Sequence, residues 1–297
     1  MSWHKDDYMP FDPEDMEPHF LNFHEGHLNE YRKRNREYNE RFWVFTTLKH
    51  LFDQYVSSEC SSGSGLVKLI EGLFGDGPPR GFKSWTDALG DCPRLFFEVN
   101  MPRPIEYREF LVERFQKVTL PPRSFQDSVP VGTRFEGQTK VDAVLYGKPG
   151  VALLFEAKVL SDASPTVTYD LTRNQIARSI DVLLETPAKP GDGLSTGEEL
   201  RRQRDPDRSY FVLLTPAIFK DERRKSRLYA WLMAEYMSPS STVLAEDLSH
   251  RTDKESVKRV THRIGWLTFE QCHQELKRVD PSSRGASPWL NPPDPTT

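Results

Sequence analysis

Residues 140 to 158 constrain this chain more than any other stretch. Lys140-Val141-Asp142-Ala143-Val144-Leu145-Tyr146 runs through Gly147-Lys148-Pro149-Gly150 into Val151-Ala152-Leu153-Leu154-Phe155-Glu156-Ala157-Lys158. The pattern predicts two apolar strands joined by a tight turn. Asp142, Glu156 and Lys158 interrupt runs that otherwise suit burial. Charged side chains are almost never buried unless they are paired or bound to a metal. Side chains alternate faces along a strand, so Glu156 and Lys158 share a face with Ala152 and Leu154. Val151, Leu153, Phe155, Ala157 and Val159 form the other face. Both faces are apolar, which predicts a central strand covered on both sides.

The turn decides whether Asp142 joins that charged face. In a three-residue loop, Lys148-Pro149-Gly150, Gly147 pairs with Val151 and Gly150 takes the left-handed position. Asp142 then stands opposite Glu156, with β-carbons about 5 Å apart. A four-residue loop slips the register by one and turns Asp142 to the other face, unless a bulge restores it. Pro149 suits the second position of the shorter loop poorly, so both registers stay open on sequence alone. In the first register two neighbouring carboxylates repel. Either one holds a proton or a cation sits between them. Mg²⁺ takes oxygen ligands and keeps several waters. Asp142, Glu156 and the backbone carbonyl of Ala157 are the candidate ligands, and Lys158 is placed to orient or help deprotonate an attacking water. That is the equipment of metal-dependent phosphodiester hydrolysis. The plainer readings are a cross-strand ion pair for Glu156 and Lys158 and a strand-edge acid for Asp142. The apolar flanks argue against the first of these.

Asp142, a turn, and then Glu156-Ala157-Lys158 resembles the PD-(D/E)xK nuclease superfamily, and the run is similar to a bacterial branch of it. The resemblance extends to the helix that follows, Arg173-Asn174-Gln175-Ile176-Ala177-Arg178-Ser179-Ile180-Asp181. Many members carry a polar, Gln-bearing helix there, and Gln175 matches that role. The tyrosine found four residues later in one branch is absent, because Ser179 stands in its place. The resemblance implies that Asp142 and Glu156 bind Mg²⁺, with Mn²⁺ able to substitute. It assigns the water to Lys158, with Gln175 assisting. A further glutamate on a helix before the sheet is common in the family, and Glu113 is the candidate. The resemblance spans about residues 104 to 270. It implies a metal-dependent nuclease acting on nucleic acid, DNA favoured, in defence, restriction or DNA processing. The alternative is a catalytically silent module of the same fold that binds nucleic acid or a partner protein.

Forty lysines and arginines against 44 acids give a net charge of -4, so any nucleic-acid surface must be local. Arg173, Arg178, Arg201 and Arg202 are the candidates to line a phosphate path. No Gly-rich phosphate loop points to ATP. Cys60, Cys92 and Cys272 are odd in number and far apart, which argues against a disulfide framework. The N-terminus lacks a signal-peptide apolar core and no apolar run reaches membrane-spanning length, so a cytoplasmic location is expected. His24 and His27 form a His-x-x-His pair with no evident third ligand. Double-strand cutting would call for two active sites, hence a homodimer or a partner protein.

Three regions are expected. Residues 1 to 100 form a mainly helical extension, with a helix over 28 to 56 and a strand at Leu95 to Val99. Residues 101 to 280 form the nuclease-like domain, and residues 281 to 297 a mobile tail. The domain should hold a helix after Pro104, a strand between Ser124 and Phe135, and the hairpin. A helix over 171 to 185, a strand over 210 to 219, a helix over 220 to 236, a strand over 263 to 269 and a last helix complete it. This order predicts an α/β fold, a mixed sheet sandwiched by helices, with a restriction-endonuclease-like core.

Overall fold

Val151 to Phe155 is an unbroken apolar run, and every residue of Gly150–Ala157 is buried. A strand with no solvated face belongs in the middle of a sheet, with strands on both edges and helices on both sides. The computed structural model places it there. It describes residues 16–20, 40–57, 63–75, 77–101, 104–117, 139–159, 173–185, 204–220 and 228–279. The His24, His27 pair, the interval from Ser124 to Phe135, and Arg201 and Arg202 lie outside those residues.

In chain order the principal elements begin with helices α1 (Glu40–Ser57), α2 (Gly65–Phe74) and α3 (Trp85–Leu89). Strand β1 (Arg94–Met101), helix α4 (Ile105–Lys117) and strands β2 (Thr139–Tyr146) and β3 (Gly150–Ala157) follow. After them come α5 (Gln175–Leu184), β4 (Arg204–Thr215), α6 (Leu228–Tyr236), α7 (Val243–Asp247), α8 (Lys254–Val260), β5 (Ile264–Thr268) and α9 (Phe269–Val279). The sheet has five strands in the order β1-β2-β3-β4-β5. The first three are antiparallel, and β4 and β5 run parallel to β3. Two apolar layers cover it. On one side Leu153, Phe155 and Ala157 pack with Trp43, Phe45 and Leu48 of α1, Ile70 of α2, and Cys272 and Leu276 of α9. On the other, Ala152 and Leu154 pack with Ile176, Ile180 and Leu183 of α5 and with Leu232, Met233 and Tyr236 of α6.

The hairpin takes the shorter loop. Gly147 N–H donates to the Val151 carbonyl at 3.2 Å, and Val151 N–H donates to the Lys148 carbonyl at 3.0 Å. Gly150 lies at φ +94°, a conformation that disfavours any side chain. Gly147 is required for a different reason, since a β-carbon there would stand 2.4 Å from the Ala88 carbonyl oxygen.

Two sequence expectations change. The strand beside β2 is Arg94–Met101, so the sheet begins inside the first hundred residues. A boundary at residue 100 would separate β1 from β2 and strip α1 and α2 from the layer they share with β3. The strand expected over 210 to 219 spans Arg204–Thr215, and a short 3-10 turn follows at Ala217–Lys220; of the helix expected over 220 to 236, Leu228–Tyr236 is described and residues 221 to 227 lie outside the described residues. Among the described residues no helix is long and apolar enough to cross a membrane.

Candidate active site

The register pairs Ala143 with Phe155 and Val144 with Leu154. Carried one step further, it sets Asp142 opposite Glu156 on the face covered by α5. Asp142 Oδ2 accepts the Ala157 N–H at 2.7 Å, which ties the acid to the neighbouring strand. Glu156 and Lys158 are buried, at 2% and 4% exposure. Lys158 Nζ donates to Glu156 Oε1 at 3.1 Å and to the Ala157 carbonyl at 2.7 Å. Gln175, the first residue of α5, donates its side-chain amide to the same Glu156 Oε1. It is held there because Asn174 caps the helix by accepting the Ala177 N–H at 2.9 Å. Thus Asp142, Glu156, Lys158 and Gln175 converge.

Two acids that the sequence pattern did not single out join them. Glu40, in the first turn of α1, accepts from Lys158 Nζ at 3.2 Å through Oε1 and from the Val159 N–H at 3.1 Å through Oε2. Glu98 of β1 stands opposite Asp142, because Phe97 pairs with Ala143 and Val99 with Val141. Its carboxylate takes Lys140, and Arg41 Nε lies 3.3 Å away. Glu98 carried the same signal as Asp142, an acid inside an apolar strand. Glu40 carried none, since it falls midway along the helix expected over 28 to 56. Glu113 is exposed on α4, and Glu40 and Glu98 are the further acids that bear on Asp142.

This crowding governs the charges. Burial, reinforced by Glu40 and Glu98, pushes the Asp142 carboxyl above the usual carboxylate range, against Lys158 and the Ala157 N–H. Burial and then Asp142 raise Glu156 further, to about 8. Burial disfavours charge on Lys158, but Glu156, Glu40 and Asp142 outweigh it and hold the ammonium firmly protonated. The carboxylates are therefore short of positive charge. Glu156 Oε2 is buried with no hydrogen-bond partner. A buried carboxylate oxygen left open beside a second acid fits a hard divalent cation completed by waters. Among the described residues no three His, Cys, Asp or Glu side chains form a ready-made metal cage, so the fit rests on Asp142 and Glu156.

The arginines divide. Arg173 is 1% exposed, ion-paired with Asp181, and stacked over the Tyr107 ring at 3.2 Å. It cannot line a phosphate path. Asp181 also accepts from Arg251 Nε at 2.6 Å and meets His250 Nε2 at 2.9 Å, while Arg251 reaches Glu185 at 3.1 Å. This buried network fastens α5, and with it Gln175, to the segment between α7 and α8. Arg178 is partly exposed on α5. Compared with protein-family models, curated proteins and solved structures, the chain finds no match.

Proposed function

We propose that this chain is a metal-dependent nuclease of the PD-(D/E)xK type, with DNA as the favoured substrate. The observation that carries the reading is the hairpin register. It places Asp142 against Glu156, with Lys158 on the same face and the buried Glu156 Oε2 open. The order of three antiparallel strands followed by two parallel ones, with α5 directly after the Glu-x-Lys strand, supports a restriction-endonuclease-like core.

Asp142 and Glu156 would hold Mg²⁺, with the Ala157 carbonyl as a further oxygen. Bound there, the ion supplies positive charge to the phosphate and acidifies its water. The protein's own groups do the rest. Gln175 fixes the Glu156 carboxylate by occupying Oε1 and leaving Oε2 without a partner, the oxygen that would be available to a metal. Lys158, held cationic by Glu156 and Glu40, donates hydrogen bonds that orient the water and offset charge building on the phosphate. Its hydrogen bonds to Glu156 and the Ala157 carbonyl hold it in place to orient the water. Glu40 sets its direction.

The test is cleavage of plasmid DNA, single-stranded DNA and RNA in Mg²⁺, Mn²⁺ and EDTA. Wild type should cut only with metal. Glu156→Ala and Lys158→Ala should each lose about 100-fold or more in rate, as expected when a group aimed at transition-state charge is removed. A folded wild type that cuts none of these substrates overturns the reading in favour of a silent, binding-only module.

A further inference from the structure

Beside the acids stands a pair of cations that the proposed reaction does not use. Glu98 is the one non-glycine residue at positive φ among the described residues, at +52°. Side chains rarely adopt that backbone, and such strain gathers at ligand clamps. Its side chain is 7% exposed, and it gathers two cations from different elements, Arg41 of α1 and Lys140 of β2. Both reach solvent, with 40% and 46% of their side chains exposed. One buried carboxylate therefore aligns two solvent-facing cations, and the three groups together carry one positive charge at the rim. The place is fixed by register. Glu98 is opposite Asp142 on the adjacent strand, and Lys140 lies two residues before Asp142 in β2.

We infer that Arg41 and Lys140 form a grip for a backbone phosphate of the nucleic-acid strand, adjacent to the one at Asp142 and Glu156. The inference rests on the nuclease reading and names how that site takes hold of its substrate. A phosphodiester carries one negative charge, which matches the charge of the trio. Arg41 offers a planar fork and Lys140 a point charge, the two usual partners of phosphate. Glu98 is a positioning residue, holding the two heads apart from Asp142 and Glu156, which would otherwise draw them inward. A net charge of -4 makes such a local grip necessary, because the molecule as a whole repels a polyanion.

The experiment uses the full chain and a fluorescein-labelled duplex and single strand. Anisotropy is measured across a salt series in a Glu156→Gln background, with steady-state cleavage in the wild-type background. Arg41→Ala and Lys140→Ala should each weaken binding about tenfold and flatten the slope of log K against log salt by about 1. In cleavage they should raise KM while leaving kcat within about twofold. Arg41→Lys with Lys140→Arg keeps both charges and should restore the salt slope, which separates the grip from mere loss of packing. Lys277→Ala, an exposed lysine on α9, should leave the slope unchanged. If Arg41→Ala and Lys140→Ala bind and cut with wild-type affinity and slope, the grip is overturned and the nuclease stands. A fall in kcat with KM unchanged overturns the grip in the same way. A wild type that neither binds nor cuts overturns both readings.

Discussion

Glu156 shows how one side chain can be an asset to chemistry and a burden to the fold. Its carboxyl is raised from about 4.5 in the unfolded chain to about 8 in the folded one. Between those values the folded protein keeps a proton that the unfolded chain has released. Stability without metal therefore falls as pH rises from about 4.5 to 8. A bound cation removes the reason for the proton and reverses the trend. Wild type in EDTA should melt progressively lower from pH 5 to pH 8, and Mg²⁺ should restore the loss at pH 8. Glu156→Gln should flatten the profile, gain on the order of 2 kcal/mol in EDTA at pH 8, and lose the response to Mg²⁺. Thermal melting across pH with and without metal tests all three, and a flat wild-type profile would rule out a proton held by Glu156. At this scale the sequence was partly legible. Asp142, Glu156 and Lys158 announce themselves because charge inside an apolar strand is costly wherever it occurs. Arg173 misled, because an arginine in the first turn of the expected helix looks solvated. Its partner Asp181 is eight residues away, and the His250 and Arg251 that complete the network lie about 70 residues further on. Glu40 was hidden for the same reason, with Lys158 118 residues away in sequence.

At the scale of elements, the β2–β3 turn sets the chemistry by setting the register. Gly150 at φ +94° and Gly147 against the Ala88 carbonyl leave room for only one loop length. Gly150→Ala places a β-carbon at a disfavoured φ and 3.0 Å from the Asp205 β-carbon. It should cost about 1–2 kcal/mol of stability. It should also cost cleavage activity beyond what the lost stability explains, because any relaxation of the loop shifts Asp142 against Glu156. Comparing chemical denaturation with the rate of the folded fraction separates the two effects, and equal losses would show that the register had held. The hairpin was readable because turn residues and face alternation are local properties. Pro149, which counted against the short loop, is accommodated between Lys148 and a glycine that absorbs the strain. The strand that pairs with β2 was not assigned to the sheet in advance. Arg94–Met101 lies far upstream, and its pairing depends on packing under α1 that no local pattern reports.

For the whole molecule, the expected division at residue 100 gives way to one shared core. Trp43, Phe45, Leu48 and Ile70 pack in the same layer as Leu153 and Phe155, and β1 caps the sheet. A chain starting at residue 101 would lose all of β1 but Met101, helices α1 and α2 from the layer over one face of β3, and Glu40. It should fail to fold cooperatively, showing no sharp thermal transition and no metal-dependent cleavage. A truncated chain that melts sharply and cuts would show the first hundred residues to be dispensable. What was legible at this scale was the class, a mixed sheet between helical layers, because strand and helix periodicities survive in single segments. Which segments share a core depends on contacts across more than a hundred residues.

The place of β4 in the chain has a consequence in time. Glu40, Glu98, Asp142, Glu156 and Lys158 have all been synthesised before Arg204, where β4 begins. Until β4 arrives, β3 is an edge strand with one side open to water. Parallel pairing across a long crossover forms slowly. Until β4 pairs, Asp142 and Glu156 therefore stand on strands open to water and lack the enclosed setting that would concentrate a cation. On the proposed reading, a nascent chain that has not yet added β4 cannot cut.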